Sequence, residues 1–252
     1  IELLRNQGMK GTEAELHTAV TRCAGHAFAL MLLASLIRDH NTSLTALFKD
    51  PTLWTGDIAS NLLDFIYTQQ LSQVQRKLLL AFSIYREPVP LDAAQILADF
   101  TAEVSKAQVL SALEALRIQH LLHASGGGHY QLHAIVVDYA QDHYLQGEEQ
   151  AIQQALQVAH SKAAQYYLHQ AAMSCPPREQ RRGMSDIQPL IEAVWQYCQA
   201  GQWQEALNLI WREWIFSDLK RWGGNTILLE LYQLLLPDKW HPKPSQAALI
   251  YT

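Results

Sequence analysis

The chain has 252 residues, of which 49% are hydrophobic, and 19 Lys+Arg against 24 Asp+Glu leave a formal net charge of −5. That length allows one large domain or two to three small ones around a substantial core, and the acidic balance gives no global electrostatic case for nucleic acid or an anionic membrane. Three scattered cysteines, Cys23, Cys175 and Cys198, show no C-x-x-C spacing, so they read as reduced thiols of a cytoplasmic protein rather than as a disulfide frame or a zinc site.

Residues 1–69 read as helices. The chain begins "IELLRNQG", already in a helical pattern, and shows no leader pattern, so it reads as a piece of a longer protein. Thr12 with Glu15 three residues on has the spacing of a capping box. Gly25 interrupts the pattern, and "HAFALMLLASLIRDH" restarts it as a helix apolar on nearly all sides, which must be packed on nearly all sides. Its apolar run of eleven residues, Ala27 to Ile37, is too short to span a bilayer, and no membrane association is expected. "ASNLLDFIYTQQ" adds a helix with Leu62, Phe65 and Ile66 on one face.

Residues 70–145 have another rhythm. A helix capped by Ser72 is followed by the stiff turn "EPVP", a second helix starting near Asp92, and a third with Val109, Leu113 and Leu116 at three-to-four spacing. "LLHASGGGHYQLH" predicts two short strands around a glycine turn at Gly126 to Gly128. Three helices closed by a β-hairpin make a winged helix-turn-helix. From 146 to 252 the chain returns to helices: a long amphipathic one, an arginine-bearing loop "SCPPREQRRG", and helical pieces joined through "AGQWQEALNLI", whose spacing is that of helix-hairpin repeats. The pattern stops at "ALIYT" in mid-helix. The expected fold is therefore mainly α: a helical subdomain (1–69), a winged-helix domain (70–145) and a truncated tetratricopeptide-like repeat array (146–252).

Catalytic motifs are absent. "SGGGHYQ" lacks the lysine and the following helix of a phosphate-cradling loop, and neither G-x-S-x-G nor H-E-x-x-H occurs. His120 and His123 lie three apart, and His129 and His133 have the even spacing of one strand face. No cysteine lies near them, so no metal site is expected. The tryptophans Trp195, Trp203, Trp211, Trp214, Trp222 and Trp240 read as packing between stacked helices, with a ligand-lining face as the sharper alternative; Trp211 and Trp214 are spaced to share a helix face. A winged helix invites a DNA-binding reading. Residues 70–145, however, carry five Lys/Arg against seven Asp/Glu, and the candidate recognition helix is neutral. DNA affinity comes largely from cations that neutralise phosphates, so DNA binding is not expected.

An apolar helix opening "GHAFALMLLASLI", a winged helix ending "QLHAIVVDYA", then helical repeats: this order resembles the STAND class of signalling ATPases, the NB-ARC-type nucleotide switches. Gly25-His26-Ala27-Phe28-Ala29-Leu30 occupies the place of the family's GLPLAL motif, and "LHAIVVDYA" the place of its MHD motif, with His133 as the histidine. The resemblance implies that His133 contacts the phosphate of ADP and holds a closed state, with Gly25 and Ala27 at the nucleotide. The motif's acid is Ala134 here and its proline Ala27. It further implies that the ATP-hydrolysing core lies upstream of residue 1, so this chain is not itself an enzyme and holds no ADP or ATP alone. Its partners would then be that upstream nucleotide-binding domain and a protein or small-ligand effector on the repeats. Two alternatives stay open from the residues: a DNA-binding transcription regulator and a plain helical-repeat interaction scaffold.

Overall fold

Side-chain caps fix where several of the helices begin. In the computed structural model, which describes residues 1–40, 43–100, 103–144 and 149–235, Thr12, Ser72 and Ser105 each accept from the backbone N–H three residues on. Glu15, Gln75 and Gln108 reach back to the N–H of the cap. Each pair satisfies two donors that a helix start leaves bare. The chain is mainly helical with one small sheet, and it divides into two units, Ile1–Gln146 and Gly147–Thr252.

The first unit opens with α1 (Glu2–Asn6), α2 (Glu13–Arg22), α3 (Ala27–His40), α4 (Leu44–Phe48) and α5 (Ile58–Gln69). As its all-round apolar pattern predicts, α3 is buried along most of its length, through Phe28, Leu30, Leu32, Leu33 and Leu36. It packs on α5, which buries Leu62, Leu63 and Ile66. Asp57 caps α5 by accepting from Ala59 N–H at 3.0 Å.

There follow α6 (Gln73–Ser83), β1 (Val89–Pro90), α7 (Leu91–Ala98), α8 (Lys106–Ile118), β2 (Leu122–Gly126), β3 (His129–Leu132) and α9 (Ala134–Tyr144). The sheet order is β1-β3-β2, antiparallel throughout, and the sequence of elements is the plan expected of a winged helix. Gly126, Gly127 and Gly128 turn the hairpin with φ of 89°, 57° and 75°, a succession that side-chain-bearing residues pay for and glycine does not. The strand β1 was hidden in the "EPVP" turn: Val89 pairs with Tyr130 and Pro90 with His129. Proline is tolerated there because β1 is an edge strand. Leu78, Leu79 and Phe82 of α6 and Leu116 of α8 are fully buried, each contributing about 1.5–3 kcal/mol of burial.

The second unit contains α10 (Glu149–Ser174), α11 (Gln188–Gln199), α12 (Trp203–Arg212), α13 (Ile215–Arg221) and α14 (Asn225–Leu235). α10 packs along α11, and a buried polar pair crosses the seam, His160 Nδ1 donating to Gln196 Oε1 at 2.7 Å. Burial lowers the pKa of His160, which keeps it neutral. Gly201, at φ 71°, turns α11 into α12, giving the helix hairpin that "AGQWQEALNLI" predicts. Trp240 and the expected helix at "PSQAALIYT" lie outside the described residues. No helix among the described residues is long and apolar enough to cross a membrane. The three cysteines are free, and burial pushes Cys23 up to about 11 and Cys198 to about 12, so neither is a thiolate at neutral pH.

One charge of the loop "SCPPREQRRG" goes inside. The Arg181 side chain, 6% exposed, pairs with Glu213 at 2.9 Å and with Asp218 at 3.3 Å. It also donates to the carbonyls of Glu213 and Pro176 at 2.8 and 3.2 Å. The guanidinium fork thus holds the loop against the end of α12 and the start of α13. Removing one partner of a buried pair strands the other charge. Arg181→Ala should therefore destabilise the second unit by about 3–5 kcal/mol, read as a lower urea midpoint by helix circular dichroism. Arg181→Lys, which keeps the charge but loses the fork, should recover only part. An Ala variant with an unchanged midpoint would show the cluster to be dispensable.

Candidate functional site

Where β3 ends at the buried Leu132, the chain leaves the sheet and His133 starts α9. Its carbonyl accepts from Val136 and Val137 N–H at 2.8 and 3.0 Å, and its Nδ1 accepts from Ile135 N–H at 3.3 Å. A histidine here does the work that serine or asparagine usually does at a helix start. The ring lies flat on Phe28 of α3, with centroids 4.1 Å apart and planes 8° from parallel. His123, on β2, approaches it at 6.0 Å.

The even spacing of His129 and His133 does not place them on one strand face, because His133 has already left the strand. His129 is exposed, its Nδ1 3.1 Å from the Gly127 carbonyl. His123 is the neighbour instead. His120 is turned away at φ 60°, its Nε2 3.0 Å from Gln7 Oε1.

His133 is half-buried, and its pKa is lowered by that burial first, then by the charges of His123 and His26. With Nδ1 accepting, the neutral ring carries its proton on Nε2. The site therefore offers a hydrogen-bond donor that needs no added proton.

Gly25 and Ala27 are both exposed; Gly25 has φ 72° with nothing within 4 Å of where a Cβ would stand. Between them His26 caps α3, accepting from Ala29 N–H at 3.3 Å. The start of α3 and the start of α9 are thereby brought together, each capped by a histidine and joined through the ring of Phe28. Phe28 and His26 fell inside the GLPLAL-like stretch without being singled out, and His123 was noted only for its spacing from His120. Phe28 was one apolar position in a helix apolar all round, and the two histidines meet His133 only through the tertiary fold.

Next to this junction lies a cleft of ≈ 500 Å³ that includes His26, Asp57, Asp64, Asp138, Tyr139 and Asp142. The Tyr139 hydroxyl donates to Asp64 Oδ1 at 3.0 Å, and burial followed by that bond raises its pKa. The Ser60 hydroxyl holds Asp57 below the usual carboxylate range. Neither lysine nor arginine lines the cleft, so it repels a phosphate. Among the described residues no group of three or more His, Cys, Asp or Glu is placed to hold a metal ion.

No family model matches the chain. In sequence it is similar to an uncharacterized WD repeat-containing protein of Nostoc sp., 29% identical over 129 residues, which is 50% of this chain and 10% of that protein. In fold it is similar to the crystal structure of a Signal Transduction ATPase with Numerous Domains (STAND) protein with a tetratricopeptide repeat sensor from Pyrococcus horikoshii. The TM-score is 0.57 over 93% of this chain and 29% of the other, at 15% identity. The chain thus spans about a tenth of the first relative and under a third of the second. At that identity the second likeness is one of fold: a helical array with the arrangement found in part of a STAND protein.

The junction's electrostatics make a testable statement about pH. A histidine whose folded pKa lies below its ordinary value of about 6.5 stabilises the fold fully above that value, and this is lost as pH falls through the lowered one. Histidine NMR should find His133 titrating below 6.5. Phe28→Ala, which opens its covered face, should raise that midpoint. Equal midpoints in the two proteins would show that the stack does not desolvate the ring.

Proposed function

We propose that this chain is the regulatory part of a cytoplasmic, nucleotide-dependent signalling switch. In this reading 1–69 and 70–145 are the helical and winged-helix blocks that face an upstream nucleotide-binding domain, and 146–252 is the start of a sensor array. The observation that carries it is the Phe28–His133 stack. It places a neutral N–H donor where the two blocks meet, so a ligand that engages His133 biases their packing, the two-state element that allostery requires. The fold likeness to a STAND protein with a tetratricopeptide repeat sensor supports the same reading.

The residues fit ADP or ATP as one wall of a site. His133 Nε2–H and the starts of α3 and α9 suit a phosphate, and the exposed Ala27, beside Gly25, leaves room for a base. The aspartates of the neighbouring cleft oppose the same charge, so the cation and the phosphate cradle belong to the upstream domain. The chain alone is then no enzyme and no nucleotide binder.

ADP should leave the melting temperature of this chain unchanged, since stabilisation grows only as ln(1 + [L]/Kd). In the longer protein with its ATPase core, His133→Ala should remove a hydrogen bond worth about 1–3 kcal/mol, roughly five- to a hundred-fold in ADP affinity. Basal output should rise as the ADP-held state loosens. If ADP release and output stay unchanged, His133 is a helix cap, and the interaction-scaffold reading of the repeats takes its place.

The neutral charge of the candidate recognition helix speaks against the DNA-binding alternative. On α8, Arg117 is engaged by Glu114 at 3.0 and 3.1 Å, and Leu110 and Ile118 are exposed beside it. Fluorescence anisotropy should show no salt-sensitive binding of duplex DNA. Submicromolar affinity at physiological salt, falling steeply as salt rises, would instead establish the transcription-regulator reading.

A further inference from the structure

The expected common helix face of Trp211 and Trp214 does not form. Trp211 is in α12, but Trp214 sits in the left-handed region at φ 58° and ψ 30°, between α12 and α13. The kink turns both indoles toward one cleft of ≈ 410 Å³, lined by Ile210, Trp211, Trp214, Phe216, Lys220 and Tyr232, with Ser217 and Leu228. That volume is within the range of small-molecule sites, about 300–1,000 Å³.

Trp214 is the observation that core packing leaves unexplained. It is the bulkiest of the side-chain-bearing residues at positive φ among those described, and it is 53% exposed. A large side chain in that region costs backbone strain, yet about half of the residue stays in contact with solvent. It is nevertheless held firmly. The Arg178 guanidinium lies 4.2 Å from its ring centroid, with Arg178 Nε 3.8 Å from Asp218, and Arg181 holds the carbonyl of Glu213, the residue before it. Phe216 and Tyr232, which also line the cleft, pack against each other with centroids 4.6 Å apart and planes tilted by 46°. The cleft is a braced aromatic slot, the kind of preorganisation that reduces the cost of binding.

We propose that this slot binds a small planar aromatic carboxylate, its ring among Trp211, Trp214, Phe216 and Tyr232 and its charge on Lys220. The lining carries no acid and includes Lys220, which disfavours a cationic ligand and hence an aromatic cage for ammonium groups. Ser217 supplies a hydroxyl for the second carboxylate oxygen. The proposal rests on the reading of the repeats as a sensor and gives that sensor a ligand class.

Calorimetric titration of the whole chain with 2-naphthoate, against the neutral 2-naphthylmethanol, tests it. Naphthoate should bind about tenfold or more tightly than the alcohol, as a charge-assisted contact requires. Lys220→Met should abolish that preference while leaving the alcohol's affinity alone. Trp214→Gly should weaken both ligands at least about tenfold without lowering the melting temperature, because glycine accepts the backbone that tryptophan strains. Should Trp214→Gly unfold the second unit, Lys220→Met still decides. Equal affinity for the two ligands, indifference to Lys220→Met, or no binding at millimolar naphthoate overturns the site, whatever becomes of His133. Binding as expected that leaves ADP release by the longer protein unaltered upholds the site and counts against the sensor reading.

Discussion

The flat stacking of Phe28 on His133 is the constraint on which the first unit's arrangement depends. It fixes the start of α3 against the start of α9, and so sets 1–69 in register with the hairpin and α9 of 70–145. Polar ties between these parts include several hydrogen bonds, among them Arg76 to the Thr68 carbonyl at 2.8 Å. Arg38 donates to the Ile118 carbonyl at 2.8 Å, Tyr139 to Asp64 at 3.0 Å, and His120 lies 3.0 Å from Gln7. Each is worth about 1 kcal/mol net, and an aromatic pair about 0.5–1.5 kcal/mol beyond its burial. Contacts of that size, laid over an apolar core, select one packing from its near neighbours more than they hold the unit together.

Local signals were legible in the sequence because they act over three or four residues. The capping box at Thr12, the cap at Ser72, the glycine hairpin and the all-round burial of α3 all follow from the chain's own spacing. β1 was not legible: it is two residues long and exists only because β3, some forty residues later, supplies its partner. Of the candidate site, His133 could be singled out from its place at a strand-to-helix junction and from a family resemblance. Its partners could not. Phe28 carried no distinguishing pattern, and the even spacing that grouped His129 with His133 assumed a strand that ends one residue too soon.

The second unit misled in a related way. A three-residue interval put Trp211 and Trp214 on one helix face, yet nothing in tryptophan's chemistry announces a left-handed kink. The stretch "SCPPREQRRG" reads as an arginine-bearing loop, and clustered like charges in a loop usually stay in water. Arg181 departs from this because the carboxylates of Glu213 and Asp218 and the Glu213 carbonyl are gathered where α12 gives way to α13. Whether a loop charge stays in water is decided by the acceptors that distant helices bring to it.

Arg181 ties positions 32 and 37 residues farther along the chain. Its contacts join the loop to the end of α12 and to the first turn of α13. The loop, the end of α12 and the first turn of α13 therefore make one cooperative unit of local opening, a foldon, rather than three independently fraying segments. Because α13 also carries Phe216 and Lys220, the aromatic slot is lost when that unit opens. The integrity of the slot is then tied to a guanidinium that takes no part in lining it.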